Sequence, residues 1–190
     1  ALGVPTSTVY ASSDRDAAGT LGRLLDTDVY RVHLDDDVIG LEACAALKNF
    51  LAIGVSATIT AWSVEANGVT GAAKNPTAAL FTQAIGELEL LVRWIGGRSG
   101  TAFGLAGAGD LHVTVGGGRN SRLGMLLGQG TTVQAALGGP LAGETVEGRE
   151  SPEGAVREYH RRLEAAGLAP DRPLSDDLEV SEPALRAAGG

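Results

Sequence analysis

The sequence is poor in cysteine, in aromatic residues and in basic charge. Cys44 is the one cysteine among 190 residues, which excludes an intrachain disulfide and argues against a metal site built from several thiolates. We therefore expect no metal, and we interpret Cys44 as a small buried side chain in a reducing compartment. Lysine and arginine number 15 against 23 acidic residues, for a net charge of −8. No basic stripe is interleaved with aromatic residues, so nucleic acid is not an expected partner.

The sequence also lacks a long uninterrupted apolar run. Its most apolar stretch, residues 41–62, is broken by Glu42, Lys48 and Asn49, and the uncharged remainder is too short to span a bilayer. No basic and then apolar segment opens the chain, so no secretory signal is indicated. We expect a cytoplasmic protein without a membrane partner.

The first 39 residues have the pattern of a strand, a helix and a second strand. Residues 6–11 are rich in β-formers, Ser13-Asp14 can cap a helix that runs to Asp26, and residues 29–34 alternate like a strand. Three leucines lie on one side of this helix: Leu21, Leu24 and Leu25. Such a unit belongs to a parallel α/β sheet and cannot bury its own faces. We expect the rest of the sheet to lie upstream, and exposed apolar surface to favour self-association, for instance as a homodimer.

From residue 40 onward the pattern is helical. Apolar residues recur at spacings of three and four over residues 44–62. Asn75-Pro76 predicts a helix start with proline at its first position, and Gly96-Gly97 predicts its end. Shorter helices are predicted for residues 121–128 and 151–167. With 28 glycines and 4% aromatic residues, the composition favours closely packed helices over a β-sandwich.

A lysine and an asparagine, Lys48 and Asn49, lie side by side on or beside the apolar stripe of the first long helix. One interpretation is structural: the lysine extends its ammonium to water, and the asparagine is a surface amide. The other is catalytic: a partly desolvated ammonium polarises a carbonyl and passes a proton. The dipeptide by itself leaves both open.

A glycine-rich segment, residues 103–111, leads to Asp110. In one interpretation it is a tight turn in which Asp110 caps the next helix. In the other, the backbone approaches a ligand closely while Asp110 orients a neighbouring lysine or a substrate hydroxyl. The sequence contains neither G-x-G-x-x-G nor G-x-x-x-x-G-K-[ST], so neither a dinucleotide nor a nucleotide-triphosphate fingerprint is present.

A second glycine run, residues 116–118, is followed by Arg119, Asn120 and Ser121 just before a helix. Glycine backbone, a guanidinium fork, an amide and a helix N-terminus together suit a phosphate monoester. In an acidic chain this is a local exception. A flexible glycine hinge with a surface arginine is the alternative. A third cluster, Asp35-Asp36-Asp37, is more typical of a solvated loop or helix start than of a metal site.

Taken in order along the chain, these motifs resemble the NAD(P)-dependent glycerol-3-phosphate dehydrogenases. The matching pieces are Gly40-Leu41, Ala46-Leu47-Lys48-Asn49, Asn75 with Ala78-Ala79-Leu80, residues 104–111, Gly117-Gly118-Arg119-Asn120 and Val146-Glu147-Gly148. The resemblance implies a Rossmann domain followed by an all-helical C-terminal domain of the 6-phosphogluconate-dehydrogenase-like type. Residues 1–39 would then be a short βαβ remnant of the Rossmann domain, and residues 40–190 the helical substrate-binding and catalytic domain.

The resemblance also implies a reaction, hydride transfer between glycerol 3-phosphate and dihydroxyacetone phosphate with NAD or NADP. Lys48 matches the family's catalytic lysine, and Asp110 matches the aspartate that hydrogen-bonds within the lysine and substrate network. Substrate-binding positions are matched by four residues: Asn49, Thr114, Arg119 and Asn120. Arg119 also lies near the cofactor in the family, and Glu147 matches a position that borders it.

The chain departs from the family pattern at several positions. Cys44-Ala45 replaces a glycine pair, Thr77 a lysine and Gln83 an arginine, and the Rossmann glycine motif is absent. We predict a catalytic C-terminal part that does not turn over without a nucleotide-binding domain. Two alternatives stay open: a non-catalytic binding or oligomerisation module with the same fold, and a related two-domain dehydrogenase that acts on a different hydroxy acid.

Overall fold

The computed structural model describes residues 4–66, 69–72 and 74–146. Along the chain its elements are β1 (Thr6–Ala11), α1 (Arg15–Leu25), β2 (Tyr30–Asp35), α2 (Val38–Ala61), β3 (Ser63–Ala66), β4 (Val69–Ala72), α3 (Lys74–Ile95), α4 (Ser99–Phe103), a π-helical turn (Leu105–Gly109), α5 (Asp110–Val115), α6 (Arg119–Gly128) and α7 (Val133–Gly138). We call residues 4–36 the strand–helix–strand unit and residues 37–146 the helical part. The predicted architecture, mainly helical after a short parallel unit, is confirmed. The helix expected over residues 151–167 lies outside the described residues.

The strand–helix–strand unit pairs β1 and β2 in parallel. Their register runs from Thr6 opposite Tyr30 to Ala11 opposite Asp35, and α1 is the crossover between them. The Asp14 carboxylate caps α1 by accepting the N–H groups of the second and third residues after it, at 3.0 and 2.9 Å. All three elements predicted from the sequence are therefore confirmed, with ends within about two residues.

The helical part is built around α2. Helix α2 packs against α3, α4, α5 and α6, most extensively against α6. The largest core cluster of buried side chains comes from these elements: Ala43, Cys44, Leu47, Leu51, Ala52, Val55, Ala84, Ile85, Leu88, Val92, Ile95, Ala102 and Leu111. The spacing of three and four read from the sequence is the spacing of the buried positions on α2, because such positions share one face of a helix.

Two glycines on α6 let its backbone approach α2. A Cβ atom at Gly124 would overlap the carbonyl oxygen of Ile53, and one at Gly128 would overlap the carbonyl oxygen of Ala57. The hydroxyl of Thr60 donates to the carbonyl of Met125 across the same crossing, at 2.6 Å. The two helices are therefore in backbone contact, and the start of α6 is fixed relative to the middle of α2.

By length and composition α2 could cross a membrane. This is weak support for a membrane span, because the core helix of a soluble protein passes the same test. Leu47, Leu51 and Val55 of α2 are buried inside the helical part.

Several details differ from the sequence-based expectations. Strands β3 and β4 form an antiparallel hairpin that was not predicted, because four-residue strands give too short an alternation to recognise. Trp62, the last residue of the predicted stripe, follows the end of α2 and is 54% exposed, so the stripe ends before it. Helix α3 begins at Lys74, one residue before the predicted cap Asn75. Pro76 still lies in the first turn, where its N–H would have no helical partner.

Candidate active site

A lysine–aspartate ion pair lies at the middle of α2. The ammonium of Lys48 donates to Oδ2 of Asp110, which begins α5. The Lys48 side chain is 18% exposed and that of Asp110 is 40% exposed, and the flanking Leu47 is fully buried in the core. The ion pair favours the catalytic interpretation of Lys48, and the role of this lysine stays a prediction. The pair joins residues 62 positions apart in the sequence.

Asp110 is delivered by a continuous run of short helical segments. Helix α4 leads through Gly104 into the π-helical turn, which ends at Gly109. Asp110 is the first residue of α5, and Gly109 occupies the cap position. The interpretation of this segment as a tight turn in which Asp110 caps the next helix was therefore wrong, because the glycines adopt a helical path. π-Helical turns occur mostly as single turns and often at functional sites.

The neighbour of Lys48 reaches a different element. Nδ2 of Asn120, the second residue of α6, donates to Oδ1 of Asn49 at 3.0 Å. Asn120 is 7% exposed, so this amide contact is largely shielded from water. Adjacent residues on α2 thus contact the starts of two helices, α5 through Lys48 and α6 through Asn49.

The glycine run before α6 is held at both ends. Gly118 has φ of 99°, a left-handed value that glycine tolerates and other residues rarely adopt. The buried hydroxyl of Ser121 donates to the carbonyl of Val115 at 2.9 Å, which ties the end of α5 to the first turn of α6. Arg119 is exposed at the start of α6. The flexible hinge is therefore the weaker interpretation. Ser121 was part of the motif read from the sequence, but its bond to the end of α5 could not be predicted there.

Thr114 lies one turn after Asp110 on α5. Its hydroxyl donates to the backbone carbonyl of Asp110 at 2.8 Å, a common use of threonine in helices. The side chains of residues four apart share a helix face, so Thr114 and Asp110 lie on the same side of α5. Glu147, the remaining predicted site residue, lies outside the described residues.

A cleft of about 350 Å³ opens between β1 and the helical part. Asp110 lies on its wall with apolar neighbours from α2, the π-helical turn and α5: Leu41, Ala45, Leu105, Ala106 and Val113. Ligand clefts typically have volumes of about 300–1,000 Å³ and combine apolar walls with a few polar groups. The apolar lining residues were missed in the sequence, because exposed leucine and valine side chains are common on any protein surface.

The departures from the family pattern lie in different surroundings. Cys44 is fully buried, and burial, followed by the charges of Asp37 and Asp110, raises the pKa of its thiol to about 12. It is thus a neutral core side chain, as predicted. Ala45 faces the cleft instead. The hydroxyls of Thr58 and Thr77 are 2.9 Å apart.

The chain is similar to known proteins of one family along most of its length. The family model described as the NAD-dependent glycerol-3-phosphate dehydrogenase C-terminus matches residues 37–177. A glycerol-3-phosphate dehydrogenase (NAD(P)+) of Acidobacterium capsulatum is 37% identical over 182 residues, which cover 95% of this chain and 49% of that protein. An NADP(+)-dependent glycerol-3-phosphate dehydrogenase of Archaeoglobus fulgidus is 37% identical over 134 residues, which cover 70% of this chain and 39% of that protein.

Solved structures of glycerol-3-phosphate dehydrogenases are similar to this chain as well. The crystal structure of glycerol-3-phosphate dehydrogenase from Coxiella burnetii matches with a TM-score of 0.65 and 29% identity, and the match covers 88% of this chain and 47% of that one. The enzyme from Saccharomyces cerevisiae matches with a TM-score of 0.64 at 23% identity, which shows the shared fold alone. The chain belongs to the NAD-dependent glycerol-3-phosphate dehydrogenase family and corresponds to its C-terminal domain. It spans about half the length of the curated relatives it matches.

Proposed function

We propose that this chain is the substrate-binding and catalytic C-terminal part of a glycerol-3-phosphate dehydrogenase. The reaction is reversible hydride transfer between glycerol 3-phosphate and dihydroxyacetone phosphate with NAD or NADP. The observation that carries the proposal is the convergence of the Lys48–Asp110 ion pair and the Asn49–Asn120 contact on one stretch of α2. The domain boundary between residues 39 and 40 stays a prediction.

Lys48 is the proton-handling group of the proposed reaction. In the direction of reduction, its ammonium donates a proton to the carbonyl oxygen of dihydroxyacetone phosphate as that oxygen gains negative charge. Asp110 holds the ammonium in place and offsets its charge in the partly buried site. Both groups are needed in a fixed orientation, because proton transfer requires hydrogen-bond distance to the reacting oxygen.

The start of α6 is the proposed phosphate site. The N–H groups at a helix start and the helix dipole favour an anion, and Arg119 adds a guanidinium that can form two hydrogen bonds with a phosphate. Asn120 supports the same end of the substrate. Asn49 and Thr114 complete the substrate-binding set beside Lys48 and Asp110. The net charge of the chain is negative and would repel a phosphate, whereas the cation and the helix start at this position attract one locally.

The chain's own residues fit only the edge of a nicotinamide dinucleotide. The sequence has no G-x-G-x-x-G fingerprint, and the described parallel sheet has two strands, which is too little to cradle a pyrophosphate in the Rossmann manner. Arg119 and Glu147 would border the cofactor, and a nucleotide-binding domain would hold most of it. When bound, the nicotinamide supplies the hydride. We therefore propose that the chain does not turn over by itself, and that it acts in the cytoplasm.

A non-catalytic binding or oligomerisation module is the second candidate. Ala45 faces the cleft where the family has a glycine, and Thr77 contacts Thr58 where the family has a lysine. Both substitutions remove features of the family's site. This candidate predicts that Lys48→Ala changes little when the chain is combined with a nucleotide-binding domain of a relative. The catalytic proposal predicts near-complete loss of the reconstituted activity.

A ligand titration tests the proposed phosphate site directly. Backbone amide signals of Gly118, Arg119 and Asn120 are followed as glycerol 3-phosphate or unphosphorylated glycerol is added to the folded chain. We expect saturable shifts with the phosphate ester alone. Arg119→Gln should abolish them, whereas Arg23→Gln, which changes an exposed arginine on α1, should not. Equal shifts with glycerol, or no shifts in a chain shown to be folded, would contradict the proposal. Dehydrogenase activity of the isolated chain would refute the need for a second domain.

A further inference from the structure

Asp37 is a buried carboxylate that joins three elements. It lies between β2 and α2 and is 7% exposed. Its Oδ1 accepts the N–H of Gly40 at 2.9 Å, which caps α2. Its Oδ2 accepts the backbone N–H of Arg98 at 2.8 Å and the hydroxyl of Thr101. One oxygen therefore serves α2, and the other holds the start of α4, more than 60 residues further along the chain.

The segment from Arg98 to Asp110 runs alongside α2 and is attached to it at both ends. At one end Arg98 and Thr101 bind Asp37, and at the other end Asp110 binds Lys48. Asp37 and Lys48 are eleven residues apart, about three turns of one helix. Between the two attachments lie α4 and the π-helical turn, whose Ala102 and Gly107 are buried. The position of the Asp110 carboxylate relative to Lys48 of α2 thus depends on where the segment begins.

Asp37 does more here than cap a helix. A cap requires one oxygen, whereas both oxygens of Asp37 are used, and the second is used entirely by α4. Gly40 leaves room for this arrangement, because a Cβ atom at that position would overlap Oδ2 of Asp37. The adjacent Asp35 and Asp36 both pair with the guanidinium of Arg98 at the surface, which leaves Asp37 as the buried member of the cluster.

We infer that Asp37 is a positioning residue for the Lys48–Asp110 pair: its second carboxylate oxygen sets the start of the segment that carries Asp110. The inference rests on the proposed function, in which that pair handles the proton. Asp37 acts through Asp110 and does not itself contact the substrate. Loss of the second oxygen should leave α2 capped and the chain folded, while Asp110 is held less firmly against Lys48.

The experiment uses the full chain labelled with nitrogen-15 at the side chains of lysine. The sequence has two lysines, Lys48 and the exposed Lys74, so the second ammonium signal is an internal reference. Asp37→Ser keeps an oxygen that can cap α2 but is too short to reach α4 as well. Its Lys48 ammonium signal should move toward that of Lys74 and exchange faster with water. Thr101→Val should cause a smaller shift in the same direction, and Thr101→Ser, which keeps the hydroxyl, should cause none.

A second readout is the affinity for glycerol 3-phosphate. Asp37→Ser should weaken binding by about tenfold, and Asp110→Asn added to it should weaken binding little further, because two changes that act on one group are not additive. The inference is overturned if the Asp37→Ser chain is folded and its Lys48 signal is the same as in the unaltered chain. It is also overturned if the losses of affinity caused by Asp37→Ser and Asp110→Asn simply add. If the unaltered chain does not bind glycerol 3-phosphate at all, the proposed function fails instead, and the Lys48 signal still shows whether Asp37 holds the pair.

Discussion

The helical part and the strand–helix–strand unit bury their apolar side chains to very different degrees. In the helical part, large side chains such as Leu47, Leu88 and Ile95 are at most 2% exposed. Within residues 4–36, Ala18 and Gly22 are the buried residues, whereas Leu24 is 75% exposed. Exposed apolar side chains recur in the unit: Val4, Leu21, Leu24, Val29 and Leu34. The exposed surface expected from the sequence is confirmed, and the self-association expected from it stays a prediction.

This difference indicates where the stability of the chain comes from. Burial of a leucine side chain contributes roughly 1.5–3 kcal/mol, and nearly all such burial lies in the helical part. A two-stranded sheet with one helix is marginal by itself in water. The unit contacts the helical part where β1 meets the π-helical turn and where Arg98 pairs with Asp35 and Asp36. All predicted site residues within the described ranges lie in the more stable region.

The largest expected difference between the two regions comes from truncating one leucine in each. Leu88→Ala removes a fully buried side chain of α3 and should lower the free energy of unfolding by about 2–5 kcal/mol. Leu24→Ala on α1 should change it by less than about 0.5 kcal/mol, as for other exposed positions. Urea unfolding followed by circular dichroism measures both. Similar losses in the two variants would mean that the side chain of Leu24 is buried against another surface in solution.

An intermediate effect is expected at the crossing of α2 and α6. Gly124→Ala should destabilise the helical part by about 1–3 kcal/mol, because the new methyl group overlaps the backbone of α2. Gly54→Ala is the matched control, since position 54 on α2 is exposed and nothing lies within 4 Å of its added Cβ. It should stabilise by about 0.5–1 kcal/mol, because alanine favours a helix more than glycine does. A neutral Gly124→Ala would show that α6 can move away from α2.

The smallest effect is expected at the junction of the two regions. Hydrogen bonds from Arg98 and then Arg15 hold the pKa of Asp36 below its usual value of 3.8. The folded pKa is depressed, so the contribution of this carboxylate to stability is present above pH 3.8 and is lost as the pH falls through the folded pKa. Asp36→Asn should therefore be slightly less stable at pH 7, and the difference should shrink at pH 2.5 and in 1 M NaCl.

Urea midpoints at the two pH values and salt concentrations measure this effect. Asp28→Asn is a control, because Asp28 is an exposed carboxylate in the loop before β2 and has no ion pair among the described residues. A difference between Asp36→Asn and the unaltered chain that grows as the pH falls would contradict the assigned pairing.

Local patterns in the sequence were sufficient for the long elements but not for their mutual arrangement. The apolar spacing over α2 and the glycine stop after α3 predicted both helices, since periodicity and chain termination are local properties. The helical path of residues 105–109 was missed, because the three glycines of residues 104–109 favour turns by composition. In the structure Gly107 lies so close to the backbone of Ala102 that an added Cβ atom would overlap the Ala102 carbonyl oxygen.

The candidate site required information that one sequence carries weakly. Lys48 and Asp110 are 62 residues apart, and Asn49 and Asn120 are 71 apart. No spacing rule joins residues at such distances, so the family resemblance supplied the grouping, and the residue chemistry alone left each motif ambiguous. The double use of Asp37 had no sequence signal beyond that of an ordinary helix cap, because the partners of its second oxygen lie more than 60 residues away, at the start of α4.

The backbone contact at Gly124 and Gly128 gives the proposed site a fixed length scale. This contact holds α6 close to α2, so we expect side-chain repacking at the crossing to change the gap between Arg119 and Lys48 little. A gap of constant length limits which ligands fit, because it sets how many carbon atoms can separate a phosphate from the carbon that reacts. If the proposed substrate binds here, we expect its chain length to be selected by the contact between these two helices.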